Sequence, residues 1–231
     1  MEKTLLPFII IIDDGSDAET AQWINLQEIL ANVVTIRNET AQGFSKACNQ
    51  GMDYAMKHYD FTCLCVLNSD AEIVTDNWFD KVEEHFEQDP IIGVAGVMSD
   101  NALAQTVKNV DRYLKTIDTK PSVFCHIIHG FCYFISKRLI ETLGHFDAET
   151  FPHYGSEDDY SLKAMKAGFH NLIVGSVFVK HKAEASYSSS VRTEYLKTSL
   201  PNFQKRWGKN YVDACVRQAW EINKHLNTNH G

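Results

Sequence analysis

The feature that most constrains the fold is an alternation of short apolar runs with helical patterns through the first half of the chain. Residues 8–12 form a continuous run, Phe-Ile-Ile-Ile-Ile, typical of a strand buried on both faces of a parallel sheet. Residues 33–36 and 61–67 show the same pattern, and the stretches 19–30 and 44–58 carry apolar residues at helical spacing. Strands that alternate with helices predict an α/β fold with a mainly parallel, mixed sheet flanked by helices.

Acidic residues follow two of these predicted strands at the point where each strand ends. Asp13 and Asp14 follow the first run, and Asp70 and Glu72 follow the third. Ligands of open α/β sheets bind at the carboxyl ends of the strands. Two carboxylates two residues apart share one face of extended backbone, which makes Asp70 and Glu72 candidate ligands for a hard cation such as Mg²⁺ or Mn²⁺. A solvated acidic turn is the plainer interpretation of that pair taken alone.

Two further groups of ionisable residues lie in the second half of the chain. Glu157, Asp158 and Asp159 stand consecutively at the start of a predicted helix. Acids there complement the helix dipole, or one of them acts as a general base that removes a proton from a hydroxyl. His181 follows the last clear predicted strand, and near two acidic clusters it is a candidate third metal ligand.

The remaining histidines and the tryptophans favour structural roles. His126 and His129 alternate with apolar residues, which is typical of core or loop positions, although the step from His129 to Gly130 lets backbone approach a ligand closely. Four tryptophans lie at helical spacing with other apolar residues and are expected in the core: Trp23, Trp78, Trp207 and Trp220.

The chain shows no internal repeat and no linker, so one domain is the simplest interpretation. We assign residues 1–190 to the α/β domain. Residues 191–231 form a C-terminal helical extension of the same domain, with an amphipathic pattern.

Charge and cysteine content exclude some classes of function. A net charge of −8 argues against a general nucleic-acid binder, but a bound cation can neutralise a small phosphate-bearing ligand. The six cysteines form no CxxC pair and suit a reducing compartment. The apolar run at residues 5–12 is too short to span a membrane, and no signal-cleavage pattern follows it. We therefore expect a cytoplasmic protein, with peripheral association at the inner face of the membrane left open.

Taken together and in order, these motifs resemble the family 2 glycosyltransferases of the GT-A fold, with a rhamnosyltransferase-like branch as one option. Six or more motifs in the right order are a specific signal. The segments that carry the resemblance are residues 11–16, Asn38 with 43–51, 67–72, 129–132, 144–147, 157–163 and 180–181.

The resemblance implies roles on the donor side of the site. Asp13 and Asp14 would contact the nucleoside base, and Lys46 and Asn49 would line the nucleotide side. Asp70 would serve both the nucleotide and the metal.

It also implies a metal site and a catalytic site. Glu72 and His181 would complete the metal site that Asp70 begins, with Mn²⁺ or Mg²⁺ as the cofactor. The family's base position falls on Glu157, with Asp158 as the alternative.

On the acceptor side, the resemblance points to His129, Gly130 and Asp159. The implied acceptor is a glycan or a lipid-linked saccharide, and no nucleic acid is expected as a partner.

In one respect the chain departs from the family pattern. Members usually begin with a strand, a proline-containing loop and a helix before the strand that ends in Asp-Asp-Gly-Ser, whereas the printed sequence starts almost at that second strand. The departure leaves a strand edge exposed, and exposed edges favour association. A homo-oligomer, or a partner that covers this edge, is the corresponding expectation.

The resulting functional prediction is a metal-dependent, inverting hexosyltransferase that moves a sugar from a UDP- or dTDP-linked donor to an acceptor hydroxyl, with surface polysaccharide synthesis as its setting. A catalytically impaired nucleotide-sugar-binding protein of the same fold is the first alternative. A sugar-nucleotidyltransferase is the second, and it is disfavoured because no glycine-rich basic loop follows the first strand.

Overall fold

The structure is a computed structural model that describes residues 7–182 and 189–228. Helices and strands alternate along most of the chain. In order they are β1 Ile9–Asp14, α1 Ala18–Leu26, β2 Val33–Asn38, α2 Phe44–His58, β3 Cys63–Leu67, β4 Ala71–Ile73, α3 Trp78–Gln88, β5 Ile92–Met98, α4 Val110–Leu114, β6 Val123–Phe124, β7 Cys132–Ser136, α5 Lys137–Leu143, α6 Ser156–Lys166, β8 His170–His181, α7 Ser189–Trp207 and α8 Lys209–Thr228.

The strands form a six-stranded sheet and a separate two-stranded ribbon. The large sheet has the order β3-β7-β5-β8-β4, with β6 paired to β8, and the ribbon is β1 paired to β2. The ribbon and the β5–β8 pair are parallel, whereas β7 runs antiparallel to β3 and β5, and β4 and β6 run antiparallel to β8. The α/β class and the mixed sheet flanked by helices are confirmed. The prediction that most strand pairs are parallel was wrong, because the strands of the second half of the chain pair mostly in the antiparallel direction.

The core lies on both faces of the large sheet. Every residue of β5 and β7 is buried. On one face the sheet packs against α2, α5, α6 and α8, and on the other it packs against α3. The six cysteines are free thiols, buried or half-buried, as expected of small apolar side chains.

The two-stranded ribbon is much less buried than its sequence predicts. Residues 5 and 6 of the apolar run 5–12 lie outside the described residues. In the rest of the run, Phe8 is 60% exposed, Ile9 is 45% exposed, and residues 10–12 are half-buried. Trp23 on α1 is 62% exposed, and Trp220 on α8 is also exposed, so the core assignment of these two tryptophans was wrong. The β1 run therefore has the composition of a central strand without the burial of one.

The two C-terminal helices pack onto the α6 side of the sheet. Phe203 of α7 joins Val212 and Cys215 of α8 in an apolar cluster with Phe151 and Leu162. The boundary between the α/β domain and the helical extension at residue 190 stays a prediction. The two ends of the chain, residues 1–6 and 229–231, lie outside the described residues. No helix in the described part of the chain is long and apolar enough to cross a membrane.

An ionic anchor fastens α7 to the domain. The Arg206 guanidinium donates to Asp159 at 2.9 Å and to Asp147 at 2.6 Å. Trp207 Nε1 also donates to Asp159 at 2.9 Å, and Lys163 Nζ lies 2.6 Å from the same carboxylate. Burial by itself raises the pKa of Asp147, but the hydrogen bonds from Arg206 and Thr150 outweigh it and lower that pKa to about 2.

Removing this anchor should destabilise the domain. We expect Arg206→Ala to lower the free energy of unfolding by about 2 kcal/mol, because the buried Asp159 loses one charged partner but keeps Lys163 and Trp207. Urea denaturation measures the change. Lys205→Ala, at the exposed neighbouring position, is the control and should stay within about 0.5 kcal/mol of the parent. Equal effects of the two variants would contradict the anchor.

Candidate functional site

One large cavity lies along β1 and β3 and includes their carboxyl ends. Its volume is about 1800 Å³. Most of the chemistry-bearing residues from the sequence analysis line it, although they come from distant parts of the chain. The polar and ionisable residues that matter below are Asp13, Asn68, Asp70, Asn101, His129, Glu157, Asp158 and His181.

The two aspartates that end β1 have different surroundings. Asp13 lines the cavity, is buried, and accepts hydrogen bonds from the Ser16 amide and the Arg37 guanidinium. Burial raises the pKa of Asp13, but these hydrogen bonds outweigh it and lower that pKa below its usual value. Asp14 instead accepts from the Gln42 and Gly43 amides at 2.8 and 2.9 Å. Asp14 therefore positions the loop that leads into α2.

Lys46 and Asn49 do not line this cavity. The Lys46 ammonium is half exposed and lies 3.9 Å from Glu149. The Asn49 amide exchanges hydrogen bonds of 2.9 and 3.0 Å with the backbone of Phe146. In this structure Asn49 positions the loop before α6, and the nucleotide-binding roles of both residues stay predictions.

Asp70 and His181 form an acid–histidine pair at the cavity. Asp70 precedes β4 and His181 ends β8, and the antiparallel β4–β8 pairing brings them together. The distance from Asp70 Oδ1 to His181 Nε2 is 3.5 Å, and both side chains are less than 10% exposed.

Neighbouring groups fix the orientation of the His181 ring. Its Nδ1 lies 2.8 Å from the Asn101 carbonyl oxygen, and its ring stacks on Phe131 with centroids 5.0 Å apart. The His181 amide donates to Asp100 at 2.9 Å. A proton on Nδ1 satisfies the carbonyl and leaves the Nε2 lone pair facing Asp70, which is the arrangement that metal-binding histidines use.

Glu72 does not join this pair. It is 56% exposed, lies 3.2 Å from Lys180 Nζ, and does not line the cavity. Within residues 7–182 and 189–228, no three His, Cys, Asp or Glu side chains form a metal-binding group. The structure thus brings Asp70 and His181 together without Glu72, and the metal-ligand roles of all three residues stay predictions.

The sequence analysis did not single out Asn68 and Asn101, which line the cavity near Asp70 and His181. Asn68 directly follows β3, two residues before Asp70, and Asn101 lies beside His181. Asn68 carried a usable signal, because it stands at the carboxyl end of a predicted strand. Asn101 carried none, since its place beside His181 depends on the β5–β8 pairing.

Glu157 and Asp158 bring two carboxylates to another part of the cavity lining. Both lie in the first turn of α6, and Ser156 Oγ donates to Glu157 at 2.9 Å. Burial raises the pKa of Glu157, and burial with the neighbouring carboxylates of Glu157 and Asp159 raises that of Asp158 to about 8. The helix N-terminus favours ionised acids, but burial dominates here. At neutral pH the pair therefore retains a proton.

Gly130 is required for Glu157 to occupy its position. A Cβ atom added at Gly130 would lie 2.5 Å from Glu157 Oε1 and 2.6 Å from its Cγ. Any side chain at residue 130 would displace the carboxylate. His129 lies on the same lining, and its amide donates to Gln105 at 2.7 Å. These two residues thus lie beside the carboxylate pair, and their acceptor-side roles stay predictions.

Asp159, the third acid of the run, does not face the cavity. Its carboxylate is buried and is occupied by Arg206, Trp207 and Lys163. Consecutive residues of a helix point about 100° apart, so three adjacent acids cannot all face one site. The structure gives Asp159 an anchoring position, and the acceptor-side role stays a prediction.

The raised pKa of Asp158 gives a pH-dependent stability. Between its ordinary pKa of 3.8 and about 8, the folded protein keeps a proton that the unfolded chain releases. The stability contribution of this group is therefore complete below pH 3.8 and is lost as pH rises towards 8. We expect Asp158→Asn, which cannot ionise, to gain stability steadily relative to the parent as pH rises from 4 to 8.

Thermal unfolding of both proteins from pH 4 to pH 8 measures this difference. A constant offset across that range would contradict a protonated Asp158 carboxyl group in the folded protein. Glu87→Gln, on the opposite side of the sheet in α3, is the control and should show no such trend.

Comparison with solved structures shows the fold. At 16% identity and a TM-score of 0.61, the chain resembles GalNAc-T7, solved with UDP, GalNAc and Mn²⁺, over 95% of this chain and 48% of that one. At 14% identity and a TM-score of 0.61, it resembles the mannosyltransferase PcManGT from Pyrobaculum calidifontis, in complex with GDP-Man and Mn²⁺, over 95% of this chain and 64% of that one. The chain therefore spans about half of the length of the first protein and just under two thirds of the length of the second.

A smaller structure is also similar. The protein A197 from STIV matches at 12% identity and a TM-score of 0.51, over 78% of this chain and 87% of that one. No curated protein matches in sequence. The sequence model described as "Glycosyl transferase family 2" matches residues 6–144, which is more than half of the chain. With the fold and the family match together, the chain belongs to glycosyl transferase family 2 and has the GT-A fold.

Proposed function

We propose that this chain is a metal-dependent, inverting glycosyltransferase that transfers a hexose from a nucleoside-diphosphate donor to an acceptor hydroxyl. One observation carries the proposal: the Asp70–His181 pair and the Glu157–Asp158 pair line the same cavity at the carboxyl ends of the strands. Such a transfer uses a cation that stabilises the leaving diphosphate and a carboxylate base that takes the proton of the acceptor hydroxyl.

Asp70 and His181 would hold the divalent cation. A carboxylate oxygen and an imidazole nitrogen suit Mn²⁺, and with Mg²⁺ the carboxylate would be the stronger ligand. Two protein ligands leave room for diphosphate oxygens and water. When bound, the cation would supply charge neutralisation for the leaving diphosphate. The presence of Mn²⁺ in two similar structures supports the use of a divalent cation.

Asp13 would face the nucleoside part of the donor. It is the cavity-lining acid of β1, and its lowered pKa keeps it ionised as an acceptor for base or ribose donors. We retain UDP- and dTDP-linked sugars as the first donors to test, and add GDP because one similar structure contains GDP-Man. A glycan or lipid-linked acceptor, surface polysaccharide synthesis and a cytoplasmic location with peripheral membrane contact complete the proposal.

Asp158 suits the role of general base better than Glu157. A base works best when its pKa is near the operating pH, and the surroundings of Asp158 raise its pKa to about 8. Glu157 is held by Ser156 and packed against Gly130, which suits an orienting role. The ionised fraction of Asp158, which grows as pH approaches 8, would take the proton of the acceptor hydroxyl as the oxygen attacks the anomeric carbon and the diphosphate leaves.

The open ribbon favours one second candidate. Because β1 is separated from the large sheet and carries exposed apolar residues, the nucleoside side of the cavity has fewer walls than a closed sheet would give. A protein of this kind would bind nucleotide sugars weakly and transfer nothing. Turnover measurements separate the two candidates.

Calorimetric titration of UDP, dTDP and GDP, with Mn²⁺ and with chelator, tests the cation site. We expect binding that needs Mn²⁺ and that weakens about 100-fold in Asp70→Asn, because the carboxylate is the main cation ligand. Glu72→Gln is the matched control and should bind within about twofold, since Glu72 lies outside the cavity.

Two results would contradict this assignment. Equal loss in the two variants would restore Glu72 as a metal ligand. An absence of binding for all three nucleotides, in a parent protein shown to be folded, would remove the donor site from the proposal.

Hydrolysis of the bound donor sugar, with water as the acceptor, tests the base. We expect Asp158→Asn to lower kcat by roughly 100-fold or more while donor affinity changes little. Glu157→Gln should lower kcat less and is the direct comparison. A larger loss in Glu157→Gln would reverse the two assignments.

A further inference from the structure

The loop between β5 and α4, residues 99–109, contacts both parts of the candidate site. We name it the β5–α4 loop. The carbonyl oxygen of Asn101 in this loop lies 2.8 Å from His181 Nδ1. Further along the loop, the Gln105 side chain accepts a hydrogen bond of 2.7 Å from the His129 amide. The loop therefore holds the last residue of β8 at one point and the segment before β7 at another.

Gln105 is buried and uses both ends of its side-chain amide. Its Nε2 donates to the Val97 carbonyl oxygen of β5 at 2.7 Å, and its Oε1 accepts from the His129 amide. The side chain thus ties the segment before β7 to β5. Because Gly130 follows His129 and packs against the Glu157 carboxylate, the place of that carboxylate depends on where Gln105 holds the backbone.

The β5–α4 loop is closed by hydrogen bonds of its own. The Ser99 amide donates to the Gln105 carbonyl oxygen at 3.0 Å, and the Val107 amide donates to the Ser99 carbonyl oxygen at 2.7 Å. The Thr106 hydroxyl accepts from the Ala102 amide at 2.9 Å. Because these bonds join the two ends of the loop, a displacement at one end reaches the other.

The last turns of α8 hold this loop, although α8 contributes no described residue to the cavity lining. Asn223 is buried, and its Nδ2 donates to the carbonyl oxygens of Ala104 at 2.8 Å and Thr106 at 2.7 Å. One turn later, Asn227 Nδ2 donates to the Thr106 carbonyl oxygen at 3.0 Å. α8 therefore grips the loop on either side of Gln105.

The chemistry of Asn223 indicates a positioning role. The other buried residues of α8 are apolar or a thiol: Val212, Cys215, Ala219 and Leu226. Burying a primary amide costs free energy that only its hydrogen bonds offset. Because hydrogen bonds need a narrow range of distance and angle, the Asn223 amide holds the loop at one place, whereas apolar packing alone would let it slide.

We propose that Asn223 and Gln105 are positioning residues of the candidate site, which act through the β5–α4 loop. Asn223 holds the loop, and from the held loop the Asn101 carbonyl oxygen orients His181. Gln105 places the backbone that packs on Glu157. α8 therefore sets how the cation side and the base side of the cavity lie relative to each other. The effect on transfer rests on the proposed function, whereas the effect on the backbone of the site does not.

Residue-resolved hydrogen–deuterium exchange by NMR on the full chain tests the backbone effect and needs neither nucleotide nor metal. Asn223→Leu keeps a side chain of similar size without the amide donors. We expect it to speed exchange of the His129 and His181 amides about tenfold or more relative to β7 amides such as that of Phe134. A loss of overall stability alone would speed all these amides together.

A milder variant and a control accompany this measurement. Asn227→Ala removes one donor to the Thr106 carbonyl oxygen from the half-buried last turn of α8, so the fold is retained. We expect the same two amides to exchange about threefold faster. Tyr113→Phe is the control, because it removes a buried hydrogen bond of 2.5 Å to the Gly175 carbonyl oxygen outside the cavity lining. It should lower stability without a selective effect on those amides.

Donor hydrolysis and calorimetry test the effect on transfer. We expect Gln105→Met, which has a similar length, to lower kcat about tenfold while Mn²⁺-dependent donor affinity stays within about twofold, because Gln105 places the base side. Asn223→Leu should lower kcat and also weaken donor binding, because the loop it holds carries the carbonyl oxygen that orients His181. Tyr113→Phe should leave both quantities unchanged.

The backbone effect is overturned if Asn223→Leu speeds exchange evenly across the core or leaves both amides unchanged. Should that variant fail to fold, Asn227→Ala decides by the same comparison. The effect on transfer is overturned if Gln105→Met keeps the parent kcat, or if it loses donor affinity as much as kcat. A parent that turns over no donor would contradict the proposed function, and the exchange measurement would still decide the role of α8.

Discussion

The parallel pairing of β5 with β8 is the interaction on which the rest of the structure depends. β8 is twelve residues long and almost wholly buried, and it pairs with β5, β4 and β6. Its last residue, His181, reaches the cavity only because the pairing with β5 fixes how far the strand extends. The same pairing places Asn101, beyond the end of β5, where its carbonyl oxygen orients the His181 ring. Sheet register therefore determines the geometry of the candidate cation site.

Burial around the start of α6 has two different chemical results. Asp159 turns away from the cavity and is neutralised by Arg206 and Lys163, so its charge fastens α7 to the domain. Asp158, one residue earlier, lines the cavity, and burial with the neighbouring carboxylates raises its pKa to about 8. One acid thus anchors a helix and its neighbour faces the cavity. The difference arises from the rotation of the helix by about 100° per residue.

The separated ribbon connects the fold with the site. β1 contributes Asp13 to the cavity lining, and α2 and the stacking of Phe8 on Tyr59 hold β1 near β3.

The sequence by itself determined the α/β class, the order of the main strands and helices, and the strand ends at which Asp13 and Asp70 lie. These follow from local periodicity and from turn residues, which act over a few positions. Only the tertiary structure decided which acids share a cavity. It separated Glu72 from Asp70 and Asp159 from Asp158, because side-chain direction depends on register and helix rotation, and it brought Asn101 to His181 across β5 and β8. It also decided that the apolar run of β1 is left partly exposed, because burial depends on which strand, if any, lies beside it.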